Sequence, residues 1–248
     1  MEGRQAVREL LVAGRRRVRD LWLVDDAEAT PVLGDILEFA GEARVRVRRV
    51  RPAALRAEAR SEAPQGVLAH ADPLPELDLD RLLAGDQVAH TAQDQAPPPF
   101  LVFLDGITDP QNLGALLRSA EGAGVSGVVM PRHRAAHVTP TVAKAAAGAV
   151  EHLAMAVVGG LPAALTMAKQ QGIWVVGLDS AGDTSLFDLA LVDQPVALVL
   201  GAEGRGLGRL VRERCDVVAS IPLWGMLPSL NVASAGALAC FEVARRRH

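Results

Sequence analysis

LVLGAEGRGLG, residues 198 to 208, and IPLWGMLPSLNVASAGALACFE, residues 221 to 242, each carry an apolar strand into a loop rich in glycine or turn-forming residues. An open α/β sheet binds its ligand at such strand ends. VALVL at 196 to 200 is apolar without alternation, the pattern of a central strand buried on both faces. Gly201, Gly204, Gly206 and Gly208 follow it and give the backbone freedom to turn tightly and approach a ligand. The second strand, 217 to 222, leads through Pro228, Ser229, Leu230 and Asn231 into a helix expected over 232 to 247, with Ser229 or Asn231 as its cap. The glycine spacing is not G-x-G-x-x-G, and the loop comes late in the chain, so a nicotinamide-dependent oxidoreductase fits poorly.

Working upstream, LDGITDPQNLGALLRSAE at 104 to 121 follows an apolar run at 100 to 104. Asn112 is a good cap for the helix expected over 113 to 123, whose Leu113, Leu116, Leu117 and Ala120 form the core-facing stripe. Gly114 and Arg118 share an adjacent face. Alone, Arg118 reads as an ordinary solvated arginine. Further strands are expected near 127 to 130, 153 to 158 and 173 to 178, alternating with helices near 140 to 149, 162 to 171 and 207 to 214, which makes the C-terminal part a parallel α/β sheet.

The N-terminal part reads differently. Residues 1 to 74 suggest helix, strand, helix and strand in a small α/β module, and a Pro- and Asp-rich stretch, 75 to 97, links it to a domain at 98 to 248. Residues 1 to 60 carry 13 arginines against 10 acidic residues, whereas 61 to 100 carry one arginine against seven, so the basic character sits in the module and not in the whole chain of net charge −3. ArgArgArg at 15 to 17 and the alternating RVRVRRVR at 44 to 51 suit a strand with one cationic face along a phosphate backbone. Arginine outnumbers lysine 24 to 2, so compositional bias explains the arginine count equally well, and only the position of the arginines favours RNA. With 3% aromatic residues and no tyrosine, recognition through phosphates, shape and 2′-hydroxyls is expected over stacked bases.

Asn112-Leu-Gly114-x-x-x-Arg118, Leu200-Gly201-Ala-Glu203-Gly204 and Ile221-Pro222-x-x-Gly225-x-x-x-Ser229-Leu230-Asn231-Val232 resemble, in order, the three motifs of the SpoU (TrmH) family of RNA ribose 2′-O-methyltransferases, members of the SPOUT class. The N-terminal Glu2-Gly3-Arg4-Gln5-Ala6-Val7 and Pro64-Gln65-Gly66-Val67 resemble the substrate-binding domain of its 23S rRNA guanosine-2′-O-methyltransferase branch. The resemblance implies a C-terminal trefoil knot, S-adenosylmethionine as methyl donor, an RNA substrate and a homodimer that completes the site. It assigns Arg118 to the ribose and phosphate, the backbones of Gly201, Ile221 and Leu230 to the adenosine, and Asn112, Glu203, Ser229 and Asn231 to ordering the pocket. Within the class, tRNA 2′-O-methylation and antibiotic-resistance methylation of rRNA are the alternatives, and outside it a non-catalytic RNA-binding or ribosome-assembly protein.

Cys215 and Cys240 are neither paired nor at metal-ligand spacing, and His133, His137 and His152 lack partner ligands, so no metal and reduced thiols are expected. With no 18-residue apolar span and a charged first twenty residues, no membrane partner and a cytoplasmic location are expected.

Overall fold

Alternation decides the first sheet: in Val18–Val24 the side chains of Leu21 and Leu23 are buried, while those of Asp20 and Trp22, alternating with them, remain half-buried. The computed structural model describes residues 1–61, 63–85, 97–133, 135–190 and 193–248. In chain order the first elements are α1 (Arg4–Ala13), β1 (Val18–Val24), α2 (Pro31–Glu42), β2 (Arg46–Val50), α3 (Pro52–Glu58), β3 (Val67–Ala71) and α4 (Leu79–Leu83). They are followed by β4 (Phe100–Asp105), α5 (Pro110–Gly122), β5 (Gly127–Pro131), α6 (Pro140–Ala145), β6 (Met155–Val158) and α7 (Leu161–Gln170). The last are β7 (Trp174–Leu178), β8 (Thr184–Ser185), β9 (Val196–Gly201), α8 (Arg209–Arg212), β10 (Val217–Ser220) and α9 (Val232–Arg247). The chain divides into two units: Met1–Pro75 with His137–His152, and Glu76–Ala136 with Leu153–His248.

In the first unit β1 is the middle strand, parallel to β2 and antiparallel to β3. Val7, Leu10 and Leu11 of α1 and Leu33, Ile36 and Ala40 of α2 close its core over Leu21 and Leu23. The module has one more helix and strand than helix–strand–helix–strand, because α3 and β3 are too short to give a clear period. The cationic run forms β2, an edge strand, with Arg46, Arg48 and Arg49 exposed. Of ArgArgArg at 15 to 17, two are held internally. Arg16 meets the fully buried Glu151 through two contacts, of 2.5 and 3.1 Å, and Asp72 O at 2.9 Å, while Arg15 donates to Glu151 O at 3.1 Å. A carboxylate buried this deeply is tolerable only with such a partner; deleting one member of a buried pair costs about 3–5 kcal/mol.

The second unit holds a seven-stranded sheet in the order β6-β5-β4-β9-β7-β10-β8, parallel throughout. β9 is its central strand, with all six residues buried, as its unbroken apolar run demands. Ala197 and Val199 join Leu101, Phe103 and Val175 in the core under α7. On the opposite face a Cβ at Gly236 of α9 would lie 2.2 Å from Leu116 Cδ1 and 2.9 Å from Leu200 Cδ1, so only glycine lets α9 settle against α5 and β9. Leu113, Leu116, Leu117 and Ala120 are all buried, as the stripe on α5 requires.

Two expectations need correction. The helix after β4 starts at Pro110 and is capped by Asp109, whose side chain accepts from Gln111 N at 2.8 Å; Asn112 is therefore inside the first turn and is not the cap. Part of the expected linker, 75 to 97, is not a free connection: Leu82 and Leu83 of α4 are buried in the core of the second unit, and Leu77 N donates to Met155 O at 2.8 Å. The leucines at 77, 79, 82 and 83 supply that anchor among the prolines and aspartates. Residues 86–96 of that stretch lie outside the described residues.

Candidate functional site

Because the chain builds β4, β5 and β6 outward on one side and then crosses to β7, with β9 inserted between, the C-terminal ends of β9, β7 and β10 converge at the switch of direction. There a cavity of about 470 Å³ opens, within the range of small-molecule sites. Its wall is formed by Leu178 and Asp179 at the end of β7, Leu200 to Gly204 at the end of β9 and in the loop beyond it, Ile221 and Leu223 after β10, and Pro228 to Val232 leading into α9.

The loop after β9 is shaped by close backbone packing. A Cβ at Gly201 would lie 2.2 Å from Gly206 C and 2.5 Å from Leu207 N, both backbone atoms that cannot swing aside. Gly206 N donates to Ala202 O at 2.8 Å and closes the loop, with Gly206 at φ 64°. Gly208 N is fixed from the other side by Asp105 Oδ2 at 2.7 Å, at the end of β4. Next to the loop, Asp179 pairs with Arg212 at 3.0 Å and accepts from Ala181 N at 2.9 Å.

Three distant segments meet in one polar relay. Asn231 Oδ1 caps α9 by accepting from Ala233 N at 2.9 Å and Ser234 N at 3.3 Å. Its Nδ2 donates to Asn112 Oδ1 at 2.9 Å, and Asn112 Nδ2 donates to Glu203 Oε2 at 3.1 Å. Freed from capping, the Asn112 side chain bridges α9 to the glycine loop. Each contact is individually modest, about 0.5–1.5 kcal/mol net, but together they fix the relative position of three loops.

Gly201, Glu203, Ile221, Ser229, Leu230 and Asn231 therefore line one cavity, and Asn112 is joined to it through Asn231 and Glu203. Arg118 is not a lining residue: it is exposed further along α5 and has no hydrogen-bond or ion-pair partner among the described residues. Gly114, four residues before it on the same helix, is buried. Leu178, Asp179 and Ser180, which also line the cavity, were not expected. Their only sequence signal is an apolar strand ending in Leu-Asp-Ser; what brings them to the site is the pairing of β7 with β9, a long-range fact. The rim is strongly apolar, with Trp224 88%, Met226 100% and Leu227 77% exposed.

The segments that build this cavity coincide with a family match: residues 99–241 match the SpoU rRNA Methylase family, and residues 1–77 match the RNA 2′-O ribose methyltransferase substrate-binding family. The chain belongs to the SpoU methylase family. It is 38% identical to the 23S rRNA (guanosine-2′-O-)-methyltransferase RlmB of Shewanella oneidensis, covering 99% of this chain and 96% of that protein. A putative TrmH family tRNA/rRNA methyltransferase of Staphylococcus haemolyticus is 36% identical, with 99% and 95% covered. Among solved structures, the SpoU methyltransferase AviRb of Streptomyces viridochromogenes in complex with AdoMet superposes with a TM-score of 0.79 at 26% identity, covering 100% of this chain and 89% of that one. The parallel α/β sheet, the substrate-binding domain before it and the SPOUT likeness all agree with the sequence reading. Among the described residues no group of His, Cys, Asp or Glu could hold a metal ion, and no helix is long and apolar enough to cross a membrane.

Proposed function

We propose that this SpoU methylase transfers a methyl group from S-adenosylmethionine to a ribose 2′-oxygen of RNA, a guanosine of 23S rRNA as in its RlmB relatives. The observation that carries the proposal is the relay Asn231–Asn112–Glu203 beside the cavity, because it ties all three family motifs into one site. The cavity suits the cofactor chemically. Leu178, Leu200, Ile221 and Leu230 offer apolar surface for an adenine ring, and the backbones of Gly201, Ile221 and Leu230 stand ready for its edge. Asp179, Ser229 and Asn231 supply polar groups for the ribose and the amino acid part. When bound, the sulfonium supplies an activated methyl group and leaves as a neutral thioether.

The remaining task falls to the protein. A ribose hydroxyl is a poor nucleophile, so holding it in line with the methyl group provides much of the rate; good positioning is worth up to about 7–11 kcal/mol. Arg118, exposed and without a hydrogen-bond or ion-pair partner among the described residues, holds the ribose and neighbouring phosphate by its fixed fork of donors. It orients the ribose and stabilises charge, while the hydroxyl proton leaves to solvent water as the carbon–oxygen bond forms. Asn112, Glu203, Ser229 and Asn231 keep the pocket loops in register.

The chain is proposed to form the C-terminal trefoil knot of its class, with residues 1–74 as the RNA-binding domain and 98–248 as the catalytic one. It is proposed to act as a cytoplasmic homodimer. The apolar rim of Trp224, Met226 and Leu227, with Leu238 and Phe241 exposed on α9, supports dimerisation, since a monomer gains nothing from showing such a surface to water. Calorimetric titration with S-adenosylmethionine and with NAD tests the proposal: saturable binding of the first alone supports it. No binding of S-adenosylmethionine would leave a non-catalytic RNA-binding protein.

A further inference from the structure

The first unit has a sheet face that the catalytic reading does not use. Register places Asp20 opposite Arg46 and His70, and Trp22 opposite Arg48 and Leu68, so these side chains belong to the face of the sheet away from Leu21 and Leu23. Helices α1 and α2 cover the Leu21 and Leu23 face, while α3 covers only part of the other, where Leu55 is buried and Glu58 meets His70 Nε2 at 3.1 Å. What stays partly exposed there is an aromatic pair among arginines. Trp22 and His70 stand edge to face with ring centroids 5.3 Å apart and planes at 79°. Arg46 and Arg48 lie beside them and are exposed.

One carboxylate holds this group in place. Asp20 accepts from His70 Nδ1 at 2.6 Å and from Trp22 Nε1 at 3.3 Å, and forms an ion pair with Arg48 Nε at 3.3 Å. Its side chain is only 16% exposed, against 34% for His70 and 46% for Arg48, so the acid sits beneath and the rings and guanidinium sit above it. Arg46 has no carboxylate partner among the described residues. Arg46, left without a carboxylate beside a ring pair and a second guanidinium, suits a surface for a polyanion.

We infer that the face around Trp22, His70, Arg46 and Arg48 is a docking platform for an unpaired RNA base, stacked on the Trp22 ring with its flanking phosphates on the two arginines. An unpaired base is favoured over duplex because a stacking ring must reach a free π-face, which a helix hides. An RNA is favoured over an acidic peptide because the platform pairs aromatic surface with cationic charge. Asp20 is a positioning residue that presets the rings before RNA arrives. The inference rests on the proposed RNA methyltransferase function and names how its substrate is held.

The test uses the full-length protein and a 23S rRNA transcript at several salt concentrations. Trp22→Ala should weaken binding about tenfold or more, with the salt slope unchanged, since stacking releases no counterions. Arg46→Gln and Arg48→Gln should each weaken binding and reduce the slope by about one. Trp22→Phe, which keeps a stacking ring, should stay within about threefold of wild type. Binding of S-adenosylmethionine and turnover at saturating RNA should be unchanged in all four, so that the losses fall in KM. If Trp22→Ala lowers the melting temperature, tryptophan emission decides: RNA should quench the wild type more than Trp22→Phe. Wild-type affinity in a folded Trp22→Ala, or equal quenching, overturns the platform. Wild-type protein that binds RNA through Trp22 yet methylates none would instead overturn the activity and leave the platform standing.

Discussion

Asn231 does two jobs with one side chain, and two substitutions separate them. Its Oδ1 caps α9 and its Nδ2 holds Asn112 at 2.9 Å. Asn231→Ala removes both, at about 1 kcal/mol for the cap and about 1 kcal/mol for the side-chain contact. For a domain of this size each kcal/mol lowers Tm by about 2–4 °C, so a drop of about 4–8 °C is expected. Asn231→Asp keeps the capping oxygen and adds a favourable negative charge at a helix N-terminus, which offsets part of the lost Asn112 contact, so its drop in Tm should be at most about half that of Asn231→Ala. The relay, however, fails in it. An aspartate oxygen would face Asn112 Oδ1, and turning Asn112 over would set its oxygen against Glu203 Oε2 instead. Either arrangement leaves one repulsive contact, and turnover should fall at least tenfold, about 1.4 kcal/mol in barrier. Thermal melts beside a methyl-transfer assay read both effects. Asn231→Asp melting as early as Asn231→Ala would refute the capping account, and Asn231→Asp retaining full turnover would refute the relay.

Gly201→Ala should weaken S-adenosylmethionine binding by tenfold or more in calorimetry, because its Cβ would meet Gly206 backbone at 2.2 Å and push the loop into the cavity; unchanged affinity would mean that the loop does not touch the cofactor. Arg118→Ala should abolish turnover while leaving Tm and S-adenosylmethionine affinity nearly intact, since the side chain is exposed and has no hydrogen-bond or ion-pair partner among the described residues; activity within tenfold of wild type would make it an ordinary surface arginine. Glu242 is held below the usual carboxylate range, first by its hydrogen bond from Arg245, against the opposing effect of burial, and then by Arg246. A depressed folded pKa stabilises above the unfolded value and is lost as pH falls, so the stability advantage over Glu242→Gln should be constant near neutrality and shrink below about pH 4.5 in urea melts.

Much of this architecture is written locally. The apolar runs at 100 to 104 and 196 to 200 become β4 and β9, because a strand buried on both faces needs no alternation, and the leucine stripe on α5 is buried as its period requires. What the chain hides is long-range. Strand order brings Leu178, Asp179 and Ser180 to the cavity, and no local pattern encodes which strand lies beside β9. Asn112 reads as a helix cap because asparagine is a good one; Asp109 with Pro110 competes for that role and wins, which releases Asn112 to bind Glu203. Likewise Arg15 and Arg16 look like surface charge until Glu151, far along the chain, is seen to require them.

The most direct test of the central claim is to incubate 23S rRNA and, separately, tRNA with the protein and S-adenosylmethionine carrying a deuterated methyl group, then digest the RNA and identify its nucleosides by mass spectrometry. The site described here predicts deuterated 2′-O-methylguanosine from 23S rRNA. A label found only on a base, or only in tRNA, or nowhere, would contradict it.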